Sequence, residues 1–203
     1  MSGPRVDPAP LFDLVTGFPP DDALDVVVPM PLSLAVYMTM LESTGHAAEL
    51  AVLRKLHIEQ TRETVRGIQA GVGALVGAEV DPAARLRITH IVEERVPGVN
   101  GLRPHVHAYV GAVLRSPIRG RQIPLDVEQL RDLAESSLFC AHRDGLVAAT
   151  TERAGLTWGA TTWSSHEVVG PAWLAERTEQ ARHDDVSCPG PWPRPQILAG
   201  PPG

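Results

Sequence analysis

The sequence predicts an α+β domain in which helices pack on a mainly antiparallel β-sheet. A short apolar run at residues 24–28 is bounded by prolines, and two β-rich segments at 86–92 and 105–110 flank a turn-forming stretch. Between residues 46 and 76, apolar side chains recur at helical spacing. Strands joined by a turn pair antiparallel, whereas parallel strands need a long crossover. A hairpin combined with amphipathic helices therefore indicates the α+β class.

The first half of the chain alternates strand and helix after an extended arm. Residues 1–20 contain several prolines and little periodicity, which is typical of such an arm. The β-branched run at 24–28 predicts a buried strand. We expect Ser33 to cap a helix that runs to about Glu42. The clearest helix, over 46–76, is predicted by Leu50, Leu53, Leu56, Val65, Ile68, Val72 and Leu75.

The second half begins with the hairpin and ends in a tail. Pro97, Gly98, Asn100 and Gly101 supply the turn between strands at 86–92 and 105–110. A helix is predicted from about Asp126 to about residue 142, a strand or hairpin over 155–169, and a short helix over 171–182. Residues 183–203 are dense in proline and glycine, so we expect them to be disordered. The predicted domain therefore spans 21–182.

Three histidines of the hairpin form the candidate site. In a strand, His105 and His107 project from the same face because side chains alternate. In an antiparallel pair we expect His90 to lie close to that face. Three neutral imidazoles leave coordination positions open, as in a catalytic rather than a closed structural metal site. The alternative is that these histidines merely stabilise the hairpin, since the chain contains eight histidines and the His-x-His pattern is short.

Composition restricts the function classes. A net charge of −6 and a pI near 5.7 exclude nucleic-acid binding through bulk charge, so any such binding is local. The two cysteines, Cys140 and Cys188, are too few and too far apart for a metal knuckle or a disulfide framework. No signal-like segment or run of about 20 apolar residues is present, so we expect no membrane segment and a cytoplasmic location.

The order of these elements along the chain resembles that in the relaxase domain of conjugative transfer proteins. This domain is of the MobF type within the HUH single-strand endonucleases. The resemblance covers roughly residues 20–180. It rests on Asp-Val-Val-Val-Pro-Met-Pro-Leu-Ser at 25–33, the helical segment that starts at His57, His90 with His-Val-His at 105–107, and the closing segment at 155–171. The implied fold is the HUH relaxase-like α+β sheet with helices packed on it.

The resemblance also implies a chemistry. Such domains bind single-stranded DNA, hold a divalent cation such as Mg²⁺, Mn²⁺ or Zn²⁺, and break one phosphodiester bond with a tyrosine. By position, His90, His105 and His107 would be the metal ligands, and Asp25 would accept the second imidazole proton of one of them. Other proteins of conjugation or of a mobile element are implied as further partners.

Two departures from the family pattern bear on activity. The family places its nucleophilic tyrosines near the N-terminus, whereas residues 1–24 contain none, so the resemblance implies an N-terminally shortened domain of doubtful nicking activity. Tyr37 and Tyr109 lie in predicted core or sheet positions. The separation between His90 and His105 is longer than in the family, so either the loop has grown or the first ligand lies elsewhere.

Three arginines and two tryptophans are candidate DNA contacts. Arg115, Arg119 and Arg121 form a basic loop that we expect beside the histidines, as a phosphate contact or as a solvated turn. Trp158 and Trp163 are candidate stacking surfaces for bases. Besides a relaxase-like domain, the sequence is compatible with an accessory DNA-binding protein without metal, or with a metal-dependent phosphodiesterase that uses activated water.

Overall fold

The computed structural model describes residues 23–75, 85–116, 120–162, 165–187 and 196–198. The elements in chain order are β1 (Ala23–Pro29), α1 (Leu32–Ser43), α2 (Ala47–Leu75), β2 (Arg85–Glu93), β3 (His105–Ser116), β4 (Arg121–Pro124), α3 (Val127–Ser136), a π-helical stretch (Ser137–His142), α4 (Arg143–Ala154), β5 (Thr157–Thr162), β6 (Ser165–Val169), α5 (Ala172–Ser187) and β7 (Gln196–Leu198). The expected order of strands and helices is present.

Within the described residues, a five-stranded antiparallel sheet organises the fold. Strand β3 pairs with β2 on one side and with β1 on the other, β1 pairs with β7, and the end of β3 pairs with β4. Strands β5 and β6 form a separate two-stranded hairpin. The α+β class with a mainly antiparallel sheet is therefore confirmed.

One face of the sheet, here called the helix face, is covered by α2 and α3. Alternation in β1 sends Leu24, Val26 and Val28 to this face, where all three are buried. The main core formed there also contains Val106, Ala108 and Val110 of β3, Ile88 of β2, Val65, Ile68 and Val72 of α2, and Leu130 and Ala134 of α3. Burial of these apolar side chains is the main favourable contribution to folding. The opposite face, here called the open face, receives the intervening residues of each strand.

A second core joins α1, the first half of α2, α4, β6 and α5. Its buried members include Met30, Leu34, Met38, Leu41, Leu50, Leu53, Leu102, Leu146, Val168 and Leu174. Ser33 lies inside α1 and makes no capping hydrogen bond, so the expectation of a Ser33 cap is wrong. Its hydroxyl instead accepts a hydrogen bond from the Val168 backbone at 2.8 Å. The polar side chain thus ties α1 to β6, since tertiary contacts outweigh a local capping preference.

The helical segment after β4 is longer than the pattern predicted. Asp126 caps α3, because its carboxylate accepts hydrogen bonds from the backbone N–H groups of Glu128 and Gln129. The π-helical stretch then leads directly into α4, which ends at Gly155 in the left-handed conformation, φ 68°. Gly145 of α4 lies against the Gln60 side chain of α2, so a Cβ at this position would require that side chain to move.

The predicted boundary at residue 182 is wrong. Helix α5 continues to Ser187, and Asp185 near its end is buried at 1% exposure. Residues 196–198 add β7 to the sheet beside β1. The predicted arm at 1–20 lies outside the described residues. Among the helices that the structure describes, none is long and apolar enough to cross a membrane.

Candidate metal site

The β3 strand presents His105 and His107 on the open face. His105 pairs with Pro29 of β1 and Glu93 of β2, and His107 pairs with Val27 and Ile91. Residues directly opposite each other in an antiparallel pair project from the same face. The two rings meet edge to face with centroids 5.1 Å apart. His105 is buried and His107 half-buried, so both rings are fixed close together.

Both histidines are held through their Nδ1 atoms. His107 Nδ1 lies 3.0 and 2.9 Å from the two carboxylate oxygens of Asp25, and His105 Nδ1 lies 2.8 Å from the carbonyl oxygen of Arg103. Because these oxygens only accept, each Nδ1 carries the proton and donates it. In its neutral form, each ring then has its Nε2 lone pair available for a ligand. The hydrogen bond to Asp25 raises the pKa of His107, against burial, which lowers it.

Glu93 completes a group of three possible ligands. Its carboxylate lies 3.4 Å from His105 Nε2, and its side chain is 49% exposed. One ligand atom from each of Glu93, His105 and His107 lies within 4.8 Å of the others, and we call these residues the candidate metal cluster. Two imidazoles and one carboxylate are a common donor set for a divalent metal that keeps open positions. The residues present therefore fit a divalent metal.

His90 does not join the cluster, which corrects the predicted histidine triad. The register pairs His90 with Ala108, whose side chain belongs to the helix face. His90 accordingly projects toward α2, where burial and the positive charge of Arg62 lower its pKa. The hairpin turn sets this register, and a shift of one residue would have exchanged the two faces.

The predicted DNA contacts lie elsewhere or remain undescribed. Arg115 is exposed and shares the open face, but it is eight residues along β3 from His107, about 26 Å at ~3.3 Å per residue. The expectation that it lies beside the histidines is therefore wrong. Arg119 falls outside the described residues, and only the backbone of Arg121 in β4 is described. Both remain predictions.

The aromatic candidates have defined surroundings. Tyr109 stacks on His107 with centroids 6.0 Å apart, and Tyr37 packs against the second core. Burial, together with nearby acids, raises the pKa of both phenols. Trp158 also packs against the second core and donates its Nε1–H to the Thr150 hydroxyl at 3.0 Å, which indicates a structural role. Trp163 is outside the described residues.

Sequence reasoning missed two contributors, Glu93 and Arg103. The signal for Glu93 was the unusually long separation of His90 and His105, which already allowed a first ligand elsewhere. Arg103 contributes through its backbone carbonyl, and backbone acceptors leave no side-chain signal in a sequence.

Comparisons with known proteins address the fold. No protein-family model matches the chain, and no curated protein matches it. Among solved structures, the conjugative relaxase TrwC in complex with a mutant oriT DNA is similar, with 14% identity, a TM-score of 0.57, and coverage of 78% of this chain and 56% of that chain. A metal-bound structure of TrwC with oriT DNA gives 15% identity, a TM-score of 0.55, and coverage of 78% and 55%.

This chain therefore spans little more than half the length of the relaxase structures that it resembles. At such low identity the likeness concerns the fold alone. It agrees with the antiparallel sheet and packed helices described above. The chain thus has the α+β fold of the conjugative relaxases.

Proposed function

We propose that this chain is a relaxase-like domain that binds a divalent metal and single-stranded DNA. The observation that carries the proposal is the candidate metal cluster of Glu93, His105 and His107, whose ligand atoms lie within 4.8 Å of one another on the open face of a relaxase fold. The related fold binds oriT DNA in TrwC, and one of those structures is metal-bound.

The donors of the cluster suit a metal that accepts both nitrogen and oxygen. His105 and His107 each offer Nε2 while their Nδ1 protons are held by oxygen acceptors, the usual arrangement around a ligating imidazole. Mg²⁺ prefers oxygen ligands and retains its water, so the two imidazoles favour Zn²⁺, while the Glu93 carboxylate also suits Mn²⁺. A bound divalent ion would polarise a phosphodiester and stabilise charge on its oxygens.

Asp25 has a separate part in this proposal. It lies behind His107, and its two carboxylate oxygens face the ring Nδ1. A carboxylate there fixes the tautomer and the orientation of the ring, and it increases the basicity of Nε2. Since Asp25 and His107 lie on adjacent strands of the sheet, their contact depends on the β1–β3 register.

We infer that single-stranded DNA lies along the open face, beside β3, and extends away from the candidate metal cluster. Along β3 this face shows Tyr109, the small Gly111, Val113 and then Arg115. Arg85 lies directly opposite Arg115 on β2. The planar guanidinium group binds phosphate oxygens well, so this end of the face is our candidate position for a backbone phosphate. With a net charge of −6, DNA binding through a few such contacts is expected to be weak and salt-sensitive.

Residues 1–24, where the resemblance implies the nucleophilic tyrosine, contain no tyrosine. A second candidate function is a phosphodiesterase that uses metal-activated water and needs no tyrosine. The candidate metal cluster favours it, since three protein ligands leave positions for water and substrate.

The proposal is tested with the full chain by two titrations. Mn²⁺ and Zn²⁺ binding is measured by calorimetry for the natural chain and for a His105→Ala, His107→Ala double variant. Binding of a labelled single-stranded oligonucleotide is measured by fluorescence anisotropy with metal and with a chelator. We expect stoichiometric metal binding that the double variant loses, and DNA binding that weakens as salt is raised.

Two outcomes would contradict the proposal. Equal metal binding by the natural chain and the double variant would remove the cluster as a metal site. DNA binding without any metal binding would favour the accessory DNA-binding alternative. Incubation with Mn²⁺ followed by a denaturing gel separates the remaining possibilities: cleavage without a protein–DNA adduct indicates the water-dependent phosphodiesterase, and an adduct lost in Tyr109→Phe or Tyr37→Phe indicates a relocated nucleophile.

A further inference from the structure

A buried ion pair lies directly beside the candidate metal cluster. The Arg103 side chain is held by Asp185 of α5, with Nη2 at 3.1 Å from Oδ1 and Nε at 3.3 Å from both carboxylate oxygens. Arg103 is 5% exposed and Asp185 is 1% exposed. Removing two charges from water is costly, and well-packed apolar residues often replace a buried pair without loss of stability. The position of this pair therefore calls for an explanation other than stability.

The residue held by this ion pair is the one that orients His105. The Arg103 carbonyl accepts the Nδ1 proton of His105 at 2.8 Å. The Arg103 N–H donates to the carbonyl of Glu94 at 2.8 Å, next to Glu93 in the chain. The Arg103 backbone thus touches the segments that carry two of the three cluster residues.

The segment needs an anchor because it ends an irregular connection. Residues 94–104 join β2 to β3 without regular structure, and Gly98 and Gly101 adopt positive φ angles of 81° and 80° within it. Glu94 at the start of the connection is anchored by Arg54, whose Nη2 lies 2.6 Å from a Glu94 carboxylate oxygen. At the other end, Asp185 anchors the Arg103 side chain, whose Nη1 also donates a hydrogen bond to the Leu102 carbonyl oxygen at 2.8 Å.

We propose that Asp185 is a positioning residue for the metal site: by holding Arg103, it fixes the carbonyl that keeps His105 in the Nδ1–H tautomer with Nε2 directed at Glu93. The metal-binding part of this inference rests on the proposed function. The tautomer part does not, because it concerns the metal-free protein. Helix α5, which supplies no cluster residue, would then control the geometry of a ligand on β3.

The test compares Asp185→Asn with Asp184→Asn, the adjacent and exposed carboxylate on the same helix. Nitrogen–proton correlation spectra of the imidazole rings report the tautomer of His105 in the metal-free full chain. Calorimetry with Zn²⁺ reports the affinity. In the natural chain and in Asp184→Asn, we expect a single Nδ1–H tautomer at His105. In Asp185→Asn, we expect a mixture of tautomers and a Zn²⁺ Kd about tenfold higher, the lower end of the range for outer partners of metal ligands.

A second variant covers the case in which Asp185→Asn does not fold because an unpaired arginine remains buried. Arg103→Met with Asp185→Leu removes both charges and keeps apolar volume. It is expected to fold and to show the same mixture of tautomers. A folded variant of either kind with the natural tautomer and the natural Zn²⁺ affinity would overturn the proposal. Failure of both variants to fold would also overturn it, since the pair would then serve stability.

The Zn²⁺ titration tests the proposed function, whereas the tautomer spectra test the positioning role of Asp185. If the natural chain binds no Zn²⁺, the proposed function fails, while the tautomer spectra still decide whether Asp185 positions His105. If the natural chain binds Zn²⁺ and the His105 tautomer is unchanged in Asp185→Asn, only the positioning inference fails.

Discussion

The two faces of the central sheet are built from the same strands, and the polar groups of β1 and of residues 105–110 in β3 lie on only one of them. On the helix face, β1 and β3 present Leu24, Val26, Val28, Val106, Ala108 and Val110, all buried in the main core. On the open face, the alternate positions of the same strands present Asp25, His105, His107 and Tyr109. The comparison shows that one face supplies stability and the other supplies the candidate chemistry, as the period of two in a β-strand allows.

The largest expected effect comes from a truncation on the helix face. Leu24→Ala removes a side chain that is 1% exposed in the main core, so we expect a loss of about 2–5 kcal/mol in the free energy of unfolding. The matched change on the opposite face is Ile91→Ala, at a site 43% exposed, for which a change within about 0.5 kcal/mol is expected. Urea denaturation of both variants measures the difference. Equal losses would contradict the division between the faces.

The helical segments of the protein contain two buried histidines, His57 and His142, which make the stability of the protein depend on pH. Burial lowers the pKa of His57 to about 3 and of His142 to about 4. The unfolded chain takes up these protons near the ordinary pKa of about 6.5, so it binds more protons than the native chain below that pH. Stability is therefore complete above about pH 6.5 and falls as pH decreases toward 4 and then 3. The loss is at most about 1.4 kcal/mol per pH unit for each histidine.

Denaturation midpoints between pH 7 and pH 4.5 check this dependence. His57→Gln should flatten the profile, whereas His46→Gln, at an exposed position in front of α2, should leave it unchanged. A profile of the natural chain that stays flat across this range would show that the two histidines are already protonated in the native state.

On the open face, Asp25→Ala should lower metal affinity and change the free energy of unfolding only slightly. The change removes the acceptor of the His107 Nδ1 proton, so we expect metal affinity to fall about 10- to 100-fold. The free energy of unfolding should change far less than in Leu24→Ala, because Asp25 lies outside the main core. Calorimetric metal titration and urea denaturation of the same preparation provide both values. Undiminished metal affinity would remove Asp25 from the site.

Much of the fold could be predicted from the sequence because its signals are local. The valine-rich run of β1, the helical periodicity of α2 and the β-rich segments of the hairpin each specify an element without reference to the others. The predicted helix ends near residue 142, so the π-helical geometry of residues 137–142 and the whole of α4 were not predicted. The inner face of α4 depends on packing against α2, where Gly145 meets Gln60, and that contact is invisible in a local pattern.

The candidate site could be predicted only in part, since it depends on register. Alternation within β3 placed His105 and His107 together whatever the partner strands did. Placing a residue of β2 beside them required the number of residues in the connection and the conformation of its glycines. That register brings Glu93 to His105 and turns His90 to the helix face. Asp25 was identified through the resemblance, and its contact with His107 depends on the β1–β3 register.

The most direct test of the two-faced sheet is a metal titration of Glu93→Gln beside His90→Gln. Both residues lie on β2, and the register places Glu93 on the open face and His90 on the helix face. We expect Glu93→Gln to raise the Kd for Mn²⁺ or Zn²⁺ by at least about tenfold, since even the loss of an outer partner costs about 10- to 100-fold. His90→Gln should leave the Kd unchanged. Metal affinity lost in His90→Gln and retained in Glu93→Gln would contradict the account.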